Sequence, residues 1–234
     1  MNIIFTDMLG HNLYPPTPAI KNIPEWYLKM NEYATSKKEP KIKIVDNKIS
    51  PHVPATIKKC MPVFDAITAG YILYTAFDLY VKQVDDEPFY MWQTGQIVFH
   101  PKVQFDLYPK LNEYVAAPKF ANNWIIETPK GYSCLIVAPM HRPNTEINIL
   151  PGVVDTDNYT SPISFPFVLQ NKQFEGLIPA GTPMAQVIPF KREKWKMQFG
   201  GEENNQKAHK ISYQLKTKWF NSYKTLFWNK KEYN

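Results

Sequence analysis

Proline is unusually frequent in this chain: 21 prolines stand against nine glycines among 234 residues. Because proline fixes its own φ and lacks a backbone N–H, it is excluded from central strands and from helix interiors. A chain with so many prolines is expected to build short strands and ordered, proline-cornered loops, with few helices. Hydrophobic residues make up 44% and aromatic residues 15% of the chain, which excludes wholesale disorder.

Several classes of protein are disfavoured by the sequence. It contains no run of about 18 apolar residues, so we expect no membrane span. The first sixteen residues lack a basic stretch followed by an apolar run, so we expect no secretory signal. Two cysteines, Cys60 and Cys134, are too few for a disulfide framework and show no metal-binding spacing. A cytoplasmic location is therefore predicted, and no metal ligands are assigned from spacing.

The positive charge is concentrated near the C-terminal end. The formal net charge is +6 at pH 7, and residues 207–234 hold seven lysines and one glutamate. A basic tail of this kind does not by itself predict a nucleic-acid site, so we do not expect a nucleic acid as a partner.

The chain is predicted to have four parts. They are an extended, irregular, proline-rich N-terminal arm (1–55), a mainly β domain (56–192), a polar linker (193–210) and a C-terminal amphipathic helix (211–234). Within the arm, Pro24 favours one helical turn, and the alternating pattern at 41–46 predicts a strand. The helix is predicted from apolar residues at helical spacing, namely Leu215, Trp219, Tyr223, Leu226 and Phe227.

The β domain is predicted from short aromatic and β-branched runs bounded by Pro, Gly, Asp or Asn. Residues Trp124 to Val137 have the pattern of a hairpin whose turn is formed by residues 128–131. Pro129 at the second position and Gly131 at the fourth position favour a type I turn.

Four segments, in order, resemble the motifs of the dUTP pyrophosphatase superfamily, which also contains the dCTP deaminases. Residues 68–78, TAGYILYTAFD, are similar to S-A-G-Y-D-L-x-A-x-x-D. Residues 129–141 resemble the hairpin that leads to P-R-S. Residues 152–159, GVVDTDNY, are similar to G-V-I-D-S-D-Y, and residues 178–188, IPAGTPMAQVI, to I-x-x-G-D-R-I-A-Q-L-V. The resemblance covers residues 60–190.

The resemblance implies a β-clip fold and a homotrimer with its sites at the subunit interfaces. The whole chain also resembles a group of proteins from marine phages and bacteria, a likeness that implies no activity. For a phage-encoded chain, the predicted location is the host cytoplasm, or the virion if the protein is structural.

Three matched residues carry the implied chemistry. Asp155 matches the carboxylate that orients the water attacking the α-phosphorus, and is the candidate catalytic residue. Tyr159 matches a tyrosine that packs under the deoxyribose, and Gln186 matches a polar group near the phosphates. Tyr71 and Asp157, which lie inside the matched motifs, are further candidate ligand-binding residues.

Other family positions are changed. The first-motif aspartate that helps to hold the hydration shell of Mg²⁺ is Ile72 here, and only Asp155 and Asp157 remain to serve such an ion. The phosphate-binding R-S pair falls on Met140 and His141, so His141 and the following Arg142 are the candidate phosphate ligands after a shift of register. The glutamate of the dCTP deaminases has no counterpart in residues 161–169.

Two interpretations of the 155–157 turn follow, and the residues leave open whether the chain is an enzyme. In the first, the turn belongs to a site for a nucleotide-like small molecule, and the protein is a divergent phosphohydrolase with an altered phosphate site. In the second, the turn is a polar loop whose aspartates bond local backbone groups. The protein is then a non-enzymatic phage structural or assembly protein, whose arm and helix clasp its neighbours.

Overall fold

The structure is a computed structural model of the chain. It describes residues 1–10, 13–34, 42–45, 48–51, 55–92, 96–143, 146–217 and 222–234. The chain divides into two units. Unit 1 comprises Met1–Asn22, Thr68–Arg192 and Tyr233–Asn234, and unit 2 comprises Ile23–Ile67 and Glu193–Glu232.

Unit 1 consists of short antiparallel strands. They are β1 (Ile4–Asp7), β2 (Thr17–Pro18), β5 (Tyr71–Tyr74), β6 (Leu79–Val84), β7 (Glu87–Trp92), β8 (Ile97–Pro101), β9 (Ala116–Ala121), β10 (Trp124–Glu127), β11 (Tyr132–Val137), β12 (Ile147–Ile149), β13 (Gly152–Val154), β14 (Ser164–Leu169), β15 (Gly176–Ile178) and β16 (Pro183–Lys191). Single 3-10 turns lie at Ala19–Asn22, Lys102–Gln104 and Leu111–Glu113. The prediction of a mainly β fold built from short strands is confirmed.

The strands of unit 1 form four antiparallel sheets. The largest has the order β13-β11-β16-β5-β2, and the others are β12-β14-β9-β8, β15-β6-β7 and β1-β10. Most of their inward-facing residues form the larger of two hydrophobic clusters, in which the rings of Phe120 and Phe167 stack with centroids 4.5 Å apart. Both rings are almost fully buried, so the core is held chiefly by removal of apolar surface from water.

The N-terminal residues are more regular than the sequence suggests. Strand β1 pairs with β10, with Phe5 opposite Ile126, and β2 pairs with the start of β5. The first 22 residues are therefore part of unit 1. The prolines at 15, 16 and 18 predict an irregular arm, but β1 (four residues) forms before them and β2 (two residues) includes the last of them.

The predicted hairpin is wrong in its pairing. Strands β10 and β11 follow each other along the chain, but β10 pairs with β1 whereas β11 pairs with β13 and β16. The turn is also displaced by one residue, because Tyr132 N–H donates to the Pro129 carbonyl. Gly131 is then the third residue of the turn and has φ +88°, as a type II turn requires.

Unit 2 contains helices and one small sheet. Its elements are α1 (Glu25–Lys29), β3 (Ile42–Val45), β4 (Lys48–Pro51), a 3-10 turn (Ile57–Lys59), α2 (Met61–Thr68, whose last residue belongs to unit 1), α3 (Glu202–Thr217) and α4 (Ser222–Leu226). The helical turn after Pro24 and the strand in 41–46 are confirmed. Helix α2 lies where only strands were predicted. Its Val63, Ile67 and Thr68 are β-branched and favoured a strand, but Pro62 fits the first turn of a helix.

The C-terminal region differs from the prediction of a linker followed by one helix. Helix α3 begins at Glu202, inside the predicted linker 193–210, and α4 is a separate short helix. Glu202 and Glu203 lie in the first turn of α3, where the positive end of the helix dipole stabilises acidic side chains. Trp219 of the predicted apolar stripe lies outside the described residues. No helix in the described part of the chain is long and apolar enough to cross a membrane.

Candidate functional site

Three of the predicted site residues lie together in the turn after β13. The Asp155 carbonyl accepts hydrogen bonds from the backbone N–H of Asn158 (3.0 Å) and of Tyr159 (2.9 Å). The side chains of Asp155 and Tyr159 are both exposed, Asp155 to 61%. The Asp157 side chain is only 1% exposed, so the two aspartates of the turn are in different environments.

One oxygen of the Asp155 carboxylate is held by the protein. Ser133 Oγ donates to Asp155 Oδ1 over 2.6 Å, and Arg192 Nη1 lies 3.0 Å from the same oxygen. Val154 pairs with Cys134 in the antiparallel sheet. Ser133, the residue before Cys134, therefore lies beside Asp155, the residue after Val154. Oδ2 has no partner among the residues that the structure describes, and it belongs to a largely exposed side chain. Asp155 is therefore anchored at one oxygen and able to bind a ligand or a water at the other.

Asp157 is fully engaged by the protein. Arg192 Nη1 donates to Oδ1 over 2.8 Å, and Arg192 Nη2 pairs with Oδ2. The backbone N–H of Gly131 donates to Oδ2 over 2.8 Å. Arg192 reaches this position because it follows β16, whose last residue pairs with Tyr132, and because its own N–H donates to the Gly131 carbonyl. Asp157 was predicted to bind a ligand, but in the structure its oxygens bind Arg192 and Gly131.

The pKa values of both aspartates are lowered by these contacts. The Ser133 hydroxyl, followed by Arg192, lowers the pKa of Asp155 below its ordinary value. Arg192, followed by the Gly131 N–H, lowers the pKa of Asp157 to about 2. Hydrogen bonds and a cation that favour the charged form cause both shifts, so both carboxylates are ionised at neutral pH.

The buried Thr156 and the half-buried Thr128 form a pair of hydroxyl groups inside the turn. Thr156 is fully buried, its Oγ1 lies 2.7 Å from Thr128 Oγ1, and it donates to Cys134 Sγ at 3.3 Å. Burial raises the pKa of the Cys134 thiol, which disfavours the nucleophilic thiolate. Cys134 is thus a core residue, as the sequence predicts.

Gln186 lies elsewhere, in the fully buried part of β16. Its Oε1 accepts from the Met140 N–H over 2.9 Å, and its Nε2 donates to the Ala69 carbonyl over 2.7 Å. Both ends of the side-chain amide are therefore bonded within the chain. The residue links the first, second and fourth motif segments, a structural role in addition to the predicted one near the phosphates.

The remaining candidates, His141, Arg142 and Tyr71, lie near the same end of the sheet as Gln186. His141 is exposed, with φ +57°. The half-buried Arg142 donates to the Asn22 carbonyl, and burial lowers its pKa. Tyr71 begins β5, and its ring makes edge contacts with Phe5 and Tyr233 at centroid distances of 5.3 and 6.1 Å.

The candidates thus form two groups at different ends of β11. The Asp155 group lies beside Ser133, whereas Gln186 pairs with Val137. Four residues of a strand separate these positions by about 13 Å. Within one chain, the predicted water-orienting carboxylate is therefore not adjacent to Gln186.

The residues present do not fit a protein-held Mg²⁺. Such an ion needs several carboxylate or carbonyl oxygens, but Asp157 is paired with Arg192, and Asp155 has one oxygen without a protein partner. The family's first-motif aspartate is the buried Ile72. The described residues contain no group of three or more His, Cys, Asp or Glu side chains that could hold a metal. The guanidinium beside Asp155 also repels a cation.

Two residues of the site, Ser133 and Arg192, were not singled out in the sequence. Each lies outside the signature positions of the four motifs and reaches the turn only through the pairing of β11 with β13 and β16. The one available signal was Arg192 itself, the first arginine after the fourth motif segment.

A comparison with protein-family models finds no match, and a comparison with curated protein sequences finds none either. Solved structures of dUTPases do match the chain. A mutant dUTPase from phage phi11 of S. aureus, whose structure describes a structural Mg(II) ion, is 12% identical. It matches with a TM-score of 0.32 over 57% of this chain and 84% of its own.

Two further dUTPase structures give similar values. The Staphylococcus bacteriophage 80alpha enzyme with dUpNHpp is 12% identical, with a TM-score of 0.30 over 57% of this chain and 76% of its own. The EIAV enzyme is 13% identical, with a TM-score of 0.27 over 56% of this chain and 98% of its own. The matched proteins are dUTPases, the family that the four motifs resemble.

Proposed function

We propose that this chain binds a nucleotide-like small molecule through the Asp155 turn and hydrolyses it at the α-phosphorus. The observation that carries the proposal is the Asp155 carboxylate, which is ionised, anchored at Oδ1 and without a protein partner at Oδ2. The exposed ring of Tyr159 lies four residues further along the same turn and offers an apolar face to a sugar. The resemblance of residues 152–159 to the family motif gives this pair its roles.

In the proposed reaction, Asp155 Oδ2 accepts a hydrogen bond from a water molecule and orients it. The water oxygen bonds to the α-phosphorus, while the bond from that phosphorus to the oxygen bridging to the β-phosphorus breaks. Pyrophosphate leaves, and the proton lost by the water passes through Oδ2 to solvent. The described residues beside Asp155 place one cation there, Arg192, which is already shared with Asp157.

A homo-oligomer would complete the site. The candidate phosphate ligands His141 and Arg142 lie on the Gln186 side of the sheet, about 13 Å along β11 from the Asp155 turn of the same chain. We propose that the Asp155 turn of one copy meets His141 and Arg142 of another, as the implied trimer would allow. A guanidinium suits phosphate oxygens because its N–H groups bond two of them at once.

The test is a thermal-shift screen against deoxynucleoside triphosphates, with Asp155→Asn beside the wild type. A ligand at about 100 times its dissociation constant stabilises a fold by about 2.7 kcal/mol, which raises the melting temperature. We expect a rise for a deoxynucleotide with the wild type and its loss with Asp155→Asn. The matched control is Asp85→Asn, which changes an exposed aspartate in the β6–β7 turn and should keep the rise.

Turnover is measured by release of pyrophosphate from the same nucleotides. If the wild type binds a nucleotide but releases no pyrophosphate, the chain is a nucleotide-binding protein without hydrolase activity. Absence of both binding and turnover for every nucleotide would contradict the proposal.

A second candidate function is assembly with other protein chains. It is favoured by residues 193–201, where Trp195, Met197 and Phe199 are 88%, 81% and 92% exposed. Large apolar side chains exposed at every second position are a feature of segments that bind another chain. Deleting residues 193–201 would then break an assembly without affecting nucleotide binding, which sedimentation velocity and the thermal-shift screen distinguish.

A further inference from the structure

Arg192 contacts both aspartates of the turn, and it makes more contacts with Asp157 than with Asp155. Its Nη1 contacts Oδ1 of both carboxylates, at 2.8 Å for Asp157 and 3.0 Å for Asp155, while its Nη2 contacts Asp157 alone. The guanidinium therefore meets Asp157 with two nitrogens and Asp155 with one. A two-pronged pair constrains orientation as well as distance, so Asp157 sets the position of the guanidinium.

Asp157 is itself held by its surroundings. Its side chain is 1% exposed, and the backbone N–H of Gly131 donates to it. Gly131 in turn accepts the backbone N–H of Arg192 through its carbonyl. Both partners of the ion pair are thus tied to the same backbone residue at the end of β11.

The two donors that reach Asp155 converge on one atom. Ser133 Oγ and Arg192 Nη1 both contact Oδ1, and Arg192 Nη1 also lies 3.0 Å from Ser133 Oγ. An exposed carboxylate that is held through one oxygen loses rotational freedom, and its second oxygen keeps a constant direction. The described side chains leave that second oxygen, Oδ2, to the solvent.

We infer that Arg192, held by Asp157, and Ser133 are positioning residues that fix Asp155 through Oδ1 and direct Oδ2 toward the ligand. This assigns Asp157 to the support of the site instead of to ligand contact. The inference rests on the proposed function only in taking Asp155 as the residue that meets the ligand, since the arrangement of the four side chains is independent of it.

The experiment follows the Asp155 carboxyl carbon by NMR as the pH is lowered, with its signal assigned by its loss in Asp155→Asn. The variants are Arg192→Met, Arg192→Lys and Ser133→Ala. The matched control is Lys194→Met, which removes a cation from an exposed position two residues after Arg192. Circular dichroism checks that each variant is folded.

We expect the titration midpoint of Asp155 to rise in Arg192→Met and in Ser133→Ala, to rise less in Arg192→Lys, and to stay unchanged in Lys194→Met. If Arg192 served only the stability of the turn, Arg192→Met would lower the melting temperature and leave the Asp155 midpoint in place. That result would overturn the inference. If Arg192→Met does not fold, Ser133→Ala and Arg192→Lys decide by the same criterion.

Turnover separates this inference from the proposed function. If nucleotides are hydrolysed, Arg192→Met should lower kcat by roughly 10- to 100-fold and change KM little. The reason is that a catalytic group displaced by about 1 Å can lower the reaction rate by up to about 100-fold. If no nucleotide binds to any variant, the proposed function fails. The Asp155 midpoints would still support or refute the role of Arg192.

Discussion

The side-chain oxygen of Gln186 accepts the backbone N–H of Met140 at 2.9 Å, and the side-chain nitrogen of the same residue donates to the Ala69 carbonyl. Gln186 is fully buried, so these two backbone groups depend on it. A buried polar group that loses its partner costs about 1–3 kcal/mol. The glutamine is therefore a fixed connection between three motif segments.

Gln186→Leu is expected to lower the free energy of unfolding by about 1–3 kcal/mol, because it removes the side-chain partner of backbone groups in the half-buried residues Ala69 and Met140. Urea unfolding measures the change. Gln170→Leu is the matched control, since Gln170 is exposed and the same substitution there should cost less than about 0.5 kcal/mol. Equal effects at the two positions would contradict the structural role of Gln186.

Gly70→Ala is expected to destabilise unit 1 by about 3 kcal/mol or more. Gly70 has φ +67°, and an added Cβ would lie 1.9 Å from the Val187 carbonyl oxygen, a backbone atom held in β16. The matched control is Gly152→Ala, where an added Cβ meets nothing within 4 Å. Chemical unfolding of the two variants compares the costs, and a mild effect of Gly70→Ala would show that β5 and β16 are not held as closely as described.

The ion pair of Asp157 with Arg192 predicts a loss of stability in acid. An aspartate whose pKa is about 2 in the fold stabilises it above the unfolded value of about 3.9, and this contribution disappears as the pH falls toward 2. The stability difference between the wild type and Asp157→Asn should therefore shrink between about pH 4 and pH 2. Urea unfolding at several pH values measures it.

The stability difference between the wild type and Arg192→Met should shrink over the same pH range, because this variant removes the partner that lowers the pKa of Asp157. Parallel pH profiles for the wild type and both variants would refute this ion pair as a source of stability.

In unit 2, Trp228 is expected to hold the C-terminal residues against α2. Its Nε1 lies 3.0 Å from both carboxylate oxygens of Asp65, which also accepts from Lys231 Nζ over 2.7 Å. Trp228→Phe keeps a ring but removes this hydrogen bond to a charged group, at a cost of about 1.5–3 kcal/mol.

Limited proteolysis after α4 should therefore be faster in Trp228→Phe than in the wild type. Trp195→Phe is the matched control, because Trp195 is 88% exposed and should give the wild-type rate. Faster cleavage in the control alone, or in neither variant, would show that the Asp65 bond does not secure this segment.

The turn at Asp155 could be located from the sequence because its residues are contiguous. A strand followed by Asp155, Thr156 and Asp157 is a local pattern, and the motif resemblance adds roles to it. Its partners could not be found in this way, since Ser133 and Arg192 approach only after β11 has paired with β13 and β16 in one register. A shift of one residue would point Ser133 to the other face of the sheet.

The same limit explains the errors in the fold. Short, β-rich elements follow from the prolines and aromatic runs, whereas the partner of each strand is set by contacts between distant residues. Strand β10 illustrates this. The next strand along the chain, β11, was its predicted partner, but β10 pairs with β1. The missed helix α2 is a case where tertiary context overrides the preference of β-branched residues for strands.

The pairing of β1 with β10 has a consequence for synthesis on the ribosome. Ile4 pairs with Glu127, so about 120 residues must be added after β1 before its partner exists, which takes roughly 6–24 s at 5–20 residues per second. During that time β1 has an unpaired edge on the nascent chain. Final closure of the β1-β10 sheet is thus a late event, and Phe5 can pack against the core only after it.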